Sequence, residues 1–344
     1  MNDFLQLSVD QRRLYCEQTQ TRLNLPAVSI EKDYWVCWTL RELFTLPEWG
    51  VHLTFKGGTS LAKAWKLIER FSEDIDVVIG RDYLGFGGDH SPEQAASKKQ
   101  QKKRLDDLRA VCQQRIRESL QPALHARFTE QLPEALAWKL ERDGTDPDDQ
   151  TLLFAYPTAF PGASYIQPVV KIELGARSDT EPSATQSIQS YLSEAFPDLM
   201  QSGSFTVQTV AAERTFWEKA MLLHEESYRP PDKPRKVRLA RHYYDLWRLI
   251  THGVAERALA DRLLFDRVAA HRAIFFRWSW MDYTTLRPGS LRLVPPADQL
   301  AAWRNDYRDM KKEMFFGEVP TFDEILRVVA GFERQVNTVV RPSA

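Results

Sequence analysis

Residues 72–79 read Ser-Glu-Asp-Ile-Asp-Val-Val-Ile, a polar turn that leads into a run of aliphatic residues. Such a run predicts a buried strand. Because side chains alternate along a strand, Asp74 and Asp76 share one face and the aliphatic residues at 75, 77 and 79 share the other. Two carboxylates about 7 Å apart along a strand can bind a hard cation such as Mg²⁺ through their oxygen atoms. Asp74 and Asp76 are therefore candidate metal ligands.

A double-glycine turn lies just upstream, where residues 55–60 read Phe-Lys-Gly-Gly-Thr-Ser. The turn opens a predicted amphipathic helix that runs to about Arg70. A turn followed by the N-terminus of a helix offers backbone N–H groups and a positive dipole to phosphate. The candidate phosphate-binding residues of this turn are Lys56, Gly57, Gly58, Thr59 and Ser60.

Either motif alone has an ordinary structural explanation. Gly-Gly-Thr-Ser is typical of a turn with a helix N-cap, and the acidic stretch is typical of a solvated strand entry. The combination, joined by one amphipathic helix, favours chemistry. A phosphate cradle followed closely by a metal-binding pair is the outline of a nucleotidyltransferase.

The composition is that of an ordinary globular protein with about two domains. Of the 344 residues, 43% are hydrophobic and 27% are charged, and the formal net charge is −1. Any contact with RNA must therefore come from local basic patches rather than from the overall charge. The three cysteines have no CxxC spacing, and the chain starts without the basic and apolar regions of a signal peptide. We expect a cytoplasmic enzyme that does not enter a membrane.

The predicted fold class is α+β, with a mixed sheet that is flanked by helices and followed by a mostly helical C-terminal region. We expect two domains, a nucleotidyltransferase core with N-terminal helices at 1–210 and a helical domain at 211–344 that completes the active site. The predicted strands are at 51–55, 75–79, within 135–174 and at 205–210. The clearest predicted helices are a charged one from about Pro92 to Leu120 and two more at 211–226 and 241–250.

A third acid could come from the predicted strand at 169–174, which reads Val-Val-Lys-Ile-Glu-Leu. Lys171 and Glu173 point away from its apolar face. Such a strand could bring Glu173 beside Asp74 and Asp76. An ordinary half-exposed strand with a Lys–Glu pair explains the pattern equally well.

Two further residues lie on predicted helices of the C-terminal half. Lys219 is at the edge of an apolar stripe, where its ammonium either reaches solvent or points into a cleft. Asp245 has Arg241 and Arg248 within helical reach, so spacing alone predicts surface ion pairs. The local basic patches are residues 98–104 and the proline-rich loop 229–241. Such runs are typical of solvated faces, and the loop is the better candidate for phosphate contact.

Four segments together resemble a known family. They are Phe55–Lys63, Arg70–Asp76, Glu213–Lys219 and Arg241–Asp245. In this order they are similar to the AbiEii/AbiGii toxins, nucleotidyltransferases of abortive-infection and toxin–antitoxin systems in the DNA polymerase beta-like superfamily. The stretch Glu31–Tyr34 and the region from Tyr307 to Leu326 add to the resemblance, which spans most of the chain.

The resemblance implies a role for each matching residue. Gly58, Thr59 and Ser60 would hold the triphosphate, and Asp74 and Asp76 would bind Mg²⁺. Lys219 would contact the nucleotide phosphates, and Asp245 would complete the site. A third metal-coordinating acid is usual in the superfamily, and Glu173 is the candidate.

The expected function is transfer of a nucleoside monophosphate from an NTP to RNA, at the 3′ end of tRNA, with Mg²⁺ as cofactor. Family members of this kind act in phage defence, and a neighbouring antitoxin is implied. One alternative keeps the chemistry and changes the acceptor to a hydroxyl of a protein or a small molecule. Another is a non-catalytic nucleotide- or RNA-binding module.

Overall fold

A mixed sheet carries the acidic motif, in the computed structural model that describes residues 1–162, 167–200, 203–315 and 319–338. Within those residues the sheet has seven strands in the order β3-β4-β5-β2-β1-β7-β6. The strands are β1 (Leu53–Lys56), β2 (Ile75–Ile79), β3 (Lys139–Arg142), β4 (Thr151–Ala155), β5 (Val169–Gly175), β6 (Ser183–Gln189) and β7 (Ser204–Val210). Strand β2 runs parallel to β5, and β1 runs parallel to β7, while the other neighbours are antiparallel.

The helices precede, flank and follow the sheet, so the predicted α+β class with a helical C-terminal region is confirmed. The α-helices of the described residues are α1 (Asn2–Leu5), α2 (Val9–Leu23), α3 (Ala27–Phe44), α4 (Gly57–Lys63), α5 (Lys98–Arg115), α6 (Gln121–Gln131), α7 (Tyr191–Ala195), α8 (Ala212–Ser227), α9 (Arg241–Thr251), α10 (Val254–Ala260), α11 (Arg262–Phe275), α12 (Leu300–Met314) and α13 (Phe322–Thr338).

The two central strands show the expected alternation. In β2 the aliphatic residues are buried and Asp76 is half-buried. In β5 the apolar residues Val170, Ile172 and Leu174 are buried, while Lys171 and Glu173 are half-buried. Ile75, Val77 and Ile79 of β2 and the apolar residues of β5 thus face the core, and the charged residues of both strands remain on the opposite face, which in β2 also carries the buried Val78.

The chain forms two compact units, Met1–Trp65 with Phe71–Val210, and Lys66–Arg70 with Ala211–Ala344. In the first unit, Trp35 and Trp38 of α3 pack against Phe154 of β4, with ring centroids 5.8 and 5.7 Å apart. In the second unit, Trp217 of α8 packs edge-on against Phe265 of α11 at 4.8 Å. Each unit therefore has its own aromatic core.

Two predicted helix boundaries are wrong. Helix α4 ends at Lys63 rather than near Arg70, and Lys66 has a φ of 53°, which a helix does not accommodate. The charged helix α5 begins at Lys98 rather than at Pro92, because the side chain of Ser97 accepts a hydrogen bond from the N–H of Gln100 and caps the helix there.

The polar edge strand β6 has no counterpart among the predictions. Its residues, Ser-Ala-Thr-Gln-Ser-Ile-Gln, contain one buried aliphatic side chain, Ile188, so the alternation that marks a strand is absent. As for membranes, none of the described helices combines the length and the apolar character that a spanning segment needs.

Candidate active site

The glycine turn and the acidic strand meet at Gly57. After β1 ends at Lys56, Gly57 adopts a φ of 80°, a conformation that costs other residues more than it costs glycine. A Cβ built on Gly57 would lie only 2.0 Å from Oδ2 of Asp76. Lys56 is also directly opposite Asp76 in the antiparallel pair of β1 and β2. The turn therefore lies against the carboxylate of Asp76.

The hydroxyl groups of Thr59 and Ser60 hold this turn in place. Thr59 Oγ1 donates a hydrogen bond to the carbonyl oxygen of Asp74 at 2.5 Å, and it lies 2.9 Å from Ser72 Oγ. Ser60 Oγ donates to the carbonyl oxygen of Gly57 at 2.9 Å. Both side chains are buried. Thr59 thus ties the turn to the acidic segment, and Ser60 closes the turn on itself.

Backbone groups are the anion donors that this turn can offer. The first N–H groups of an α-helix have no partner within the helix, so those of Gly57 and Gly58 can serve as donors. Lys56 occupies the N-cap position of α4 without a side-chain capping bond. Its Nζ donates to Ser178 Oγ at 2.8 Å.

Two acids of neighbouring strands lie side by side. The parallel register of β2 and β5 pairs Asp76 with Glu173, and their side chains share a hydrogen bond. Burial raises the pKa of Asp76 to about 7, and the negative charges of Glu173 and Asp74 add to this shift, against the opposing effect of Lys56. Lys171 Nζ lies 2.5 Å from Glu173 Oε1. Strand β5 therefore brings Glu173 beside Asp76.

Asp74 is placed differently from its expected position. Strand β2 begins at Ile75, so Asp74 lies one residue before the strand, half-buried, with its carbonyl oxygen bound by Thr59. Its carboxylate is close enough to contribute to the raised pKa of Asp76.

The chemistry of these donors fits a hard divalent cation. Asp74, Asp76 and Glu173 offer carboxylate oxygens, the ligands that Mg²⁺ prefers. Burial and the neighbouring negative charges of Glu173 and Asp74 both disfavour a charged Asp76, and a bound cation would offset them. Across the described residues, however, no group of three or more His, Cys, Asp or Glu side chains is arranged so that it could hold a metal ion.

Three consecutive charged residues, Glu31, Lys32 and Asp33, lie in α3, and the last two pair with the acidic segment and with α4. Lys32 Nζ lies 2.5 Å from Glu73 Oε2, next to Asp74 in the chain. Asp33 Oδ1 lies 2.8 Å from Nζ of Lys63, the last residue of α4. Helix α3 thus has an ion pair to each of the two motifs.

Sequence reasoning did not assign a role to this triplet. Glu31, the first of the three, accepts hydrogen bonds from Thr158 Oγ1 and from the N–H of Ala159, both at 2.6 Å. The signal was present in the sequence, because Glu-Lys-Asp stands within the apolar helix α3 and charges are rarely buried without partners.

In the second unit, Asp245 is fully buried and does not make the surface ion pairs that spacing predicts. Arg70 binds it through two hydrogen bonds, from Nε to Oδ1 at 2.7 Å and from the second guanidinium nitrogen to Oδ2 at 2.9 Å. Lys219 Nζ lies 2.9 Å from Asp245 Oδ2. Burial alone would raise the pKa of Asp245, but Arg70 and Lys219 outweigh it and lower the pKa below its usual value.

Lys219 points inward, as one of its two predicted orientations requires. Its side chain is buried, and Nζ also lies 3.4 Å from Nδ1 of His242. Burial lowers the pKa of Lys219, with Asp245 opposing the shift. Burial, together with the positive charges of Lys219 and Arg241, also lowers the pKa of His242 well below its ordinary value.

A family model decides the identity of the chain. The model described as "Nucleotidyl transferase AbiEii toxin, Type IV TA system" matches residues 38–328, well over half of the chain. The chain belongs to this family. As a member of the AbiEii family it is a nucleotidyltransferase of the toxin–antitoxin class, so the resemblance predicted from the motifs is confirmed.

Two solved structures are similar to this AbiEii-family chain. MenT4, a nucleotidyltransferase toxin from Mycobacterium tuberculosis, is 18% identical, with a TM-score of 0.43 over 96% of this chain and 99% of that one. JHP933 from Helicobacter pylori is 14% identical, with a TM-score of 0.40 over 88% of each chain. Among proteins with curated descriptions, none matches the chain significantly.

Proposed function

We propose that this enzyme transfers a nucleoside monophosphate from an NTP to RNA, at the 3′ end of tRNA. The observation that supports the proposal most directly is the contact between Gly57 and the carboxylate of Asp76. A glycine turn with backbone donors next to the acid Asp76, in a chain of the AbiEii family, supports binding of a nucleotide here. An RNA acceptor implies action in the cytoplasm, and the family implies an antitoxin as partner.

The proposed reaction is an in-line substitution at the α-phosphorus of the NTP. The 3′ hydroxyl oxygen of the acceptor forms a bond to this phosphorus, and the bond to the bridging oxygen of the β-phosphate breaks. Pyrophosphate leaves, and the proton of the hydroxyl is released to solvent. Mg²⁺, held by Asp74, Asp76 and Glu173, would supply positive charge to the phosphate oxygens.

The residues of the turn bind and orient the triphosphate in this proposal. The N–H groups of Gly57 and Gly58 donate to phosphate oxygens, while Thr59 and Ser60 hold the backbone that presents them. Lys56 adds positive charge next to the turn. For Lys219 we propose contact with the nucleotide phosphates, and for Asp245 the role of keeping the lysine ammonium in place.

The test is incubation of the purified full-length protein with total RNA, Mg²⁺ and each α-labelled NTP in turn, followed by sequencing of the RNA 3′ ends. We expect label in the tRNA fraction and one or more untemplated nucleotides at the tRNA 3′ end. Label in protein or in small molecules, with RNA unlabelled, would contradict the RNA acceptor and leave nucleotidyl transfer intact. An absence of label in every fraction would contradict catalysis under these conditions.

A further inference from the structure

Trp278 is exposed on the second unit. All ten tryptophans lie in the described part of the chain, and Trp278 alone among them is classed as exposed, with 45% of its surface accessible. Its ring stacks on that of Trp280, with centroids 5.7 Å apart and an interplanar angle of 19°. Trp280 is half-buried and supports Trp278 from within the fold. The two rings form a flat aromatic surface that is partly accessible to solvent.

A fixed guanidinium borders both rings. The Cζ atom of Arg229 lies 5.7 Å from the ring centroid of Trp278 and 5.3 Å from that of Trp280. Glu226 accepts two hydrogen bonds from Arg229, at 2.6 and 2.5 Å, and so sets the orientation of the guanidinium plane. The contact is within the range of cation–π interactions.

Positive charge is concentrated in the loop that begins at Arg229. The loop 229–241 has six Lys and Arg residues and one Asp, although the whole chain has a formal net charge of −1. The segment 277–292, which contains both tryptophans, has three Arg residues and one Asp. Lys233 and Lys236 are exposed, and the loop folds back so that Arg229 also donates to the carbonyl oxygen of Pro234 at 3.4 Å.

The segment that carries the tryptophans is held in a defined conformation. The N–H of Trp278 donates to Tyr283 Oη at 3.0 Å, and Tyr283 Oη donates to the carbonyl oxygen of Phe276 at 2.8 Å. Further along, the N–H of Arg292 donates to Nδ1 of His224 at 2.9 Å. The stacked rings are therefore presented by an ordered segment, which lowers the entropy cost of binding a ligand.

We propose that Trp278, Trp280, Arg229 and the loop 230–238, together called the Trp278 surface, bind single-stranded RNA. A base stacks on Trp278, and the adjacent phosphates contact Lys233 and Lys236. Proteins that bind single strands without reading sequence combine aromatic platforms and basic grooves in this way. Positive charge fits the phosphodiester backbone, and a flat ring fits a base. The proposal rests on the proposed function, since it assigns a docking surface to the RNA acceptor.

The test measures the binding of a fluorescein-labelled 12-nucleotide oligouridylate and of labelled tRNA to the full-length protein by fluorescence anisotropy. Trp278→Ala is expected to raise Kd by roughly 5- to 100-fold, because stacking of one base contributes that factor. Trp278→Phe keeps an aromatic plane and is expected to recover most of the affinity. Leu263→Ala, which shortens another exposed apolar side chain of the same unit, is the matched control and should leave Kd unchanged.

Salt dependence tests the phosphate contacts separately. Lys236→Gln is expected to make the slope of log Kd against log salt shallower by about 0.7, as loss of one contact to a single strand should. An unchanged Kd in Trp278→Ala would overturn the proposal. The proposal would also be overturned if the wild type bound phosphatidylglycerol vesicles more tightly than RNA, and if Trp278→Ala weakened the binding to vesicles but not the binding to RNA.

Failure of the Trp278 surface and failure of the proposed function give different results. If the wild type labels tRNA and Trp278→Ala binds and labels it equally well, only the Trp278 surface is refuted. If the wild type labels no RNA at all, the proposed acceptor is refuted, and the anisotropy result for Trp278→Ala then stands as a measurement of RNA binding alone.

Discussion

Asp245 is a buried carboxylate that pairs with two buried cations. It has no exposed surface, and its two oxygens bind the guanidinium of Arg70 and the ammonium of Lys219. Taking such charges out of water is costly, and the cost is offset only while all partners are present. Both cations therefore share this one buried anion.

Asp245→Asn is expected to lower the free energy of unfolding by about 3–5 kcal/mol, since it removes the buried negative charge with which Arg70 and Lys219 both pair. Chemical denaturation measures this value. The matched control is Asp323→Asn, whose partner Arg304 is exposed, and it should cost less than about 1 kcal/mol. Equal costs for the two variants would contradict the account of Asp245. Activities of Asp245 variants must be compared at equal folded fractions.

His224 makes the stability of the second unit depend on pH. It is fully buried, Nδ1 accepts from the N–H of Arg292, and Nε2 lies 3.0 Å from Thr285 Oγ1. Burial, with a smaller contribution from Arg292, lowers the pKa of His224 to about 4. The folded protein thus disfavours the protonated imidazole that the unfolded chain forms below its ordinary pKa of 6.5.

The contribution of His224 to stability is therefore complete above pH 6.5 and is lost as pH falls toward 4, by at most about 3 kcal/mol. His224→Gln can keep both hydrogen bonds without titrating. We expect the stability difference between wild type and His224→Gln to shift in favour of the variant as pH falls through this window. Parallel stability curves for the two proteins between pH 7 and pH 4 would exclude this role.

At the scale of elements, the turn between β1 and α4 allows backbone strain to be separated from contact with Asp76. Gly57 and Gly85 have similar φ values, 80° and 84°. A Cβ on Gly57 would meet Asp76, whereas a Cβ on Gly85 would have nothing within 4 Å. The two glycines are therefore a matched pair.

Both Gly57→Ala and Gly85→Ala are expected to destabilise the protein by about 1 kcal/mol or more through the left-handed backbone. Only Gly57→Ala should also displace the carboxylate of Asp76 and lower nucleotide transfer, by about 100-fold for a shift of about 1 Å. The measurement is labelled-NTP incorporation at equal concentrations of folded protein. If Gly85→Ala lost activity to the same degree, the effect would be one of backbone strain.

The elements of the sheet were largely predictable, because alternation is a property of residues that are neighbours in sequence. It identified the buried aliphatic faces of β2 and β5 and placed Lys171 and Glu173 opposite the core. The end of α4 was not predictable in this way, since Lys66 is left-handed although lysine is not a residue type that favours a left-handed conformation. The polar edge strand β6 was not predicted because it has no apolar face.

At the scale of the whole molecule, the partners of buried charges were beyond sequence patterns. Arg70 and Asp245 are 175 positions apart, and helical spacing could only suggest local partners for Asp245. The triplet Glu31–Asp33 has partners in three different segments of the chain. Motif resemblance, by contrast, predicted the family correctly, because it combines residues from distant segments without requiring their geometry.

The central claim is that Asp76, held against the glycine turn, is required for nucleotide transfer. The most direct measurement is incorporation of α-labelled NTP into tRNA by wild type, Asp76→Asn and the exposed control Asp89→Asn, each at equal folded concentration. The account predicts that Asp89→Asn matches wild type and that Asp76→Asn loses about a thousandfold or more, as removal of several kcal/mol of transition-state stabilisation requires. Incorporation by folded Asp76→Asn at the wild-type rate would contradict it.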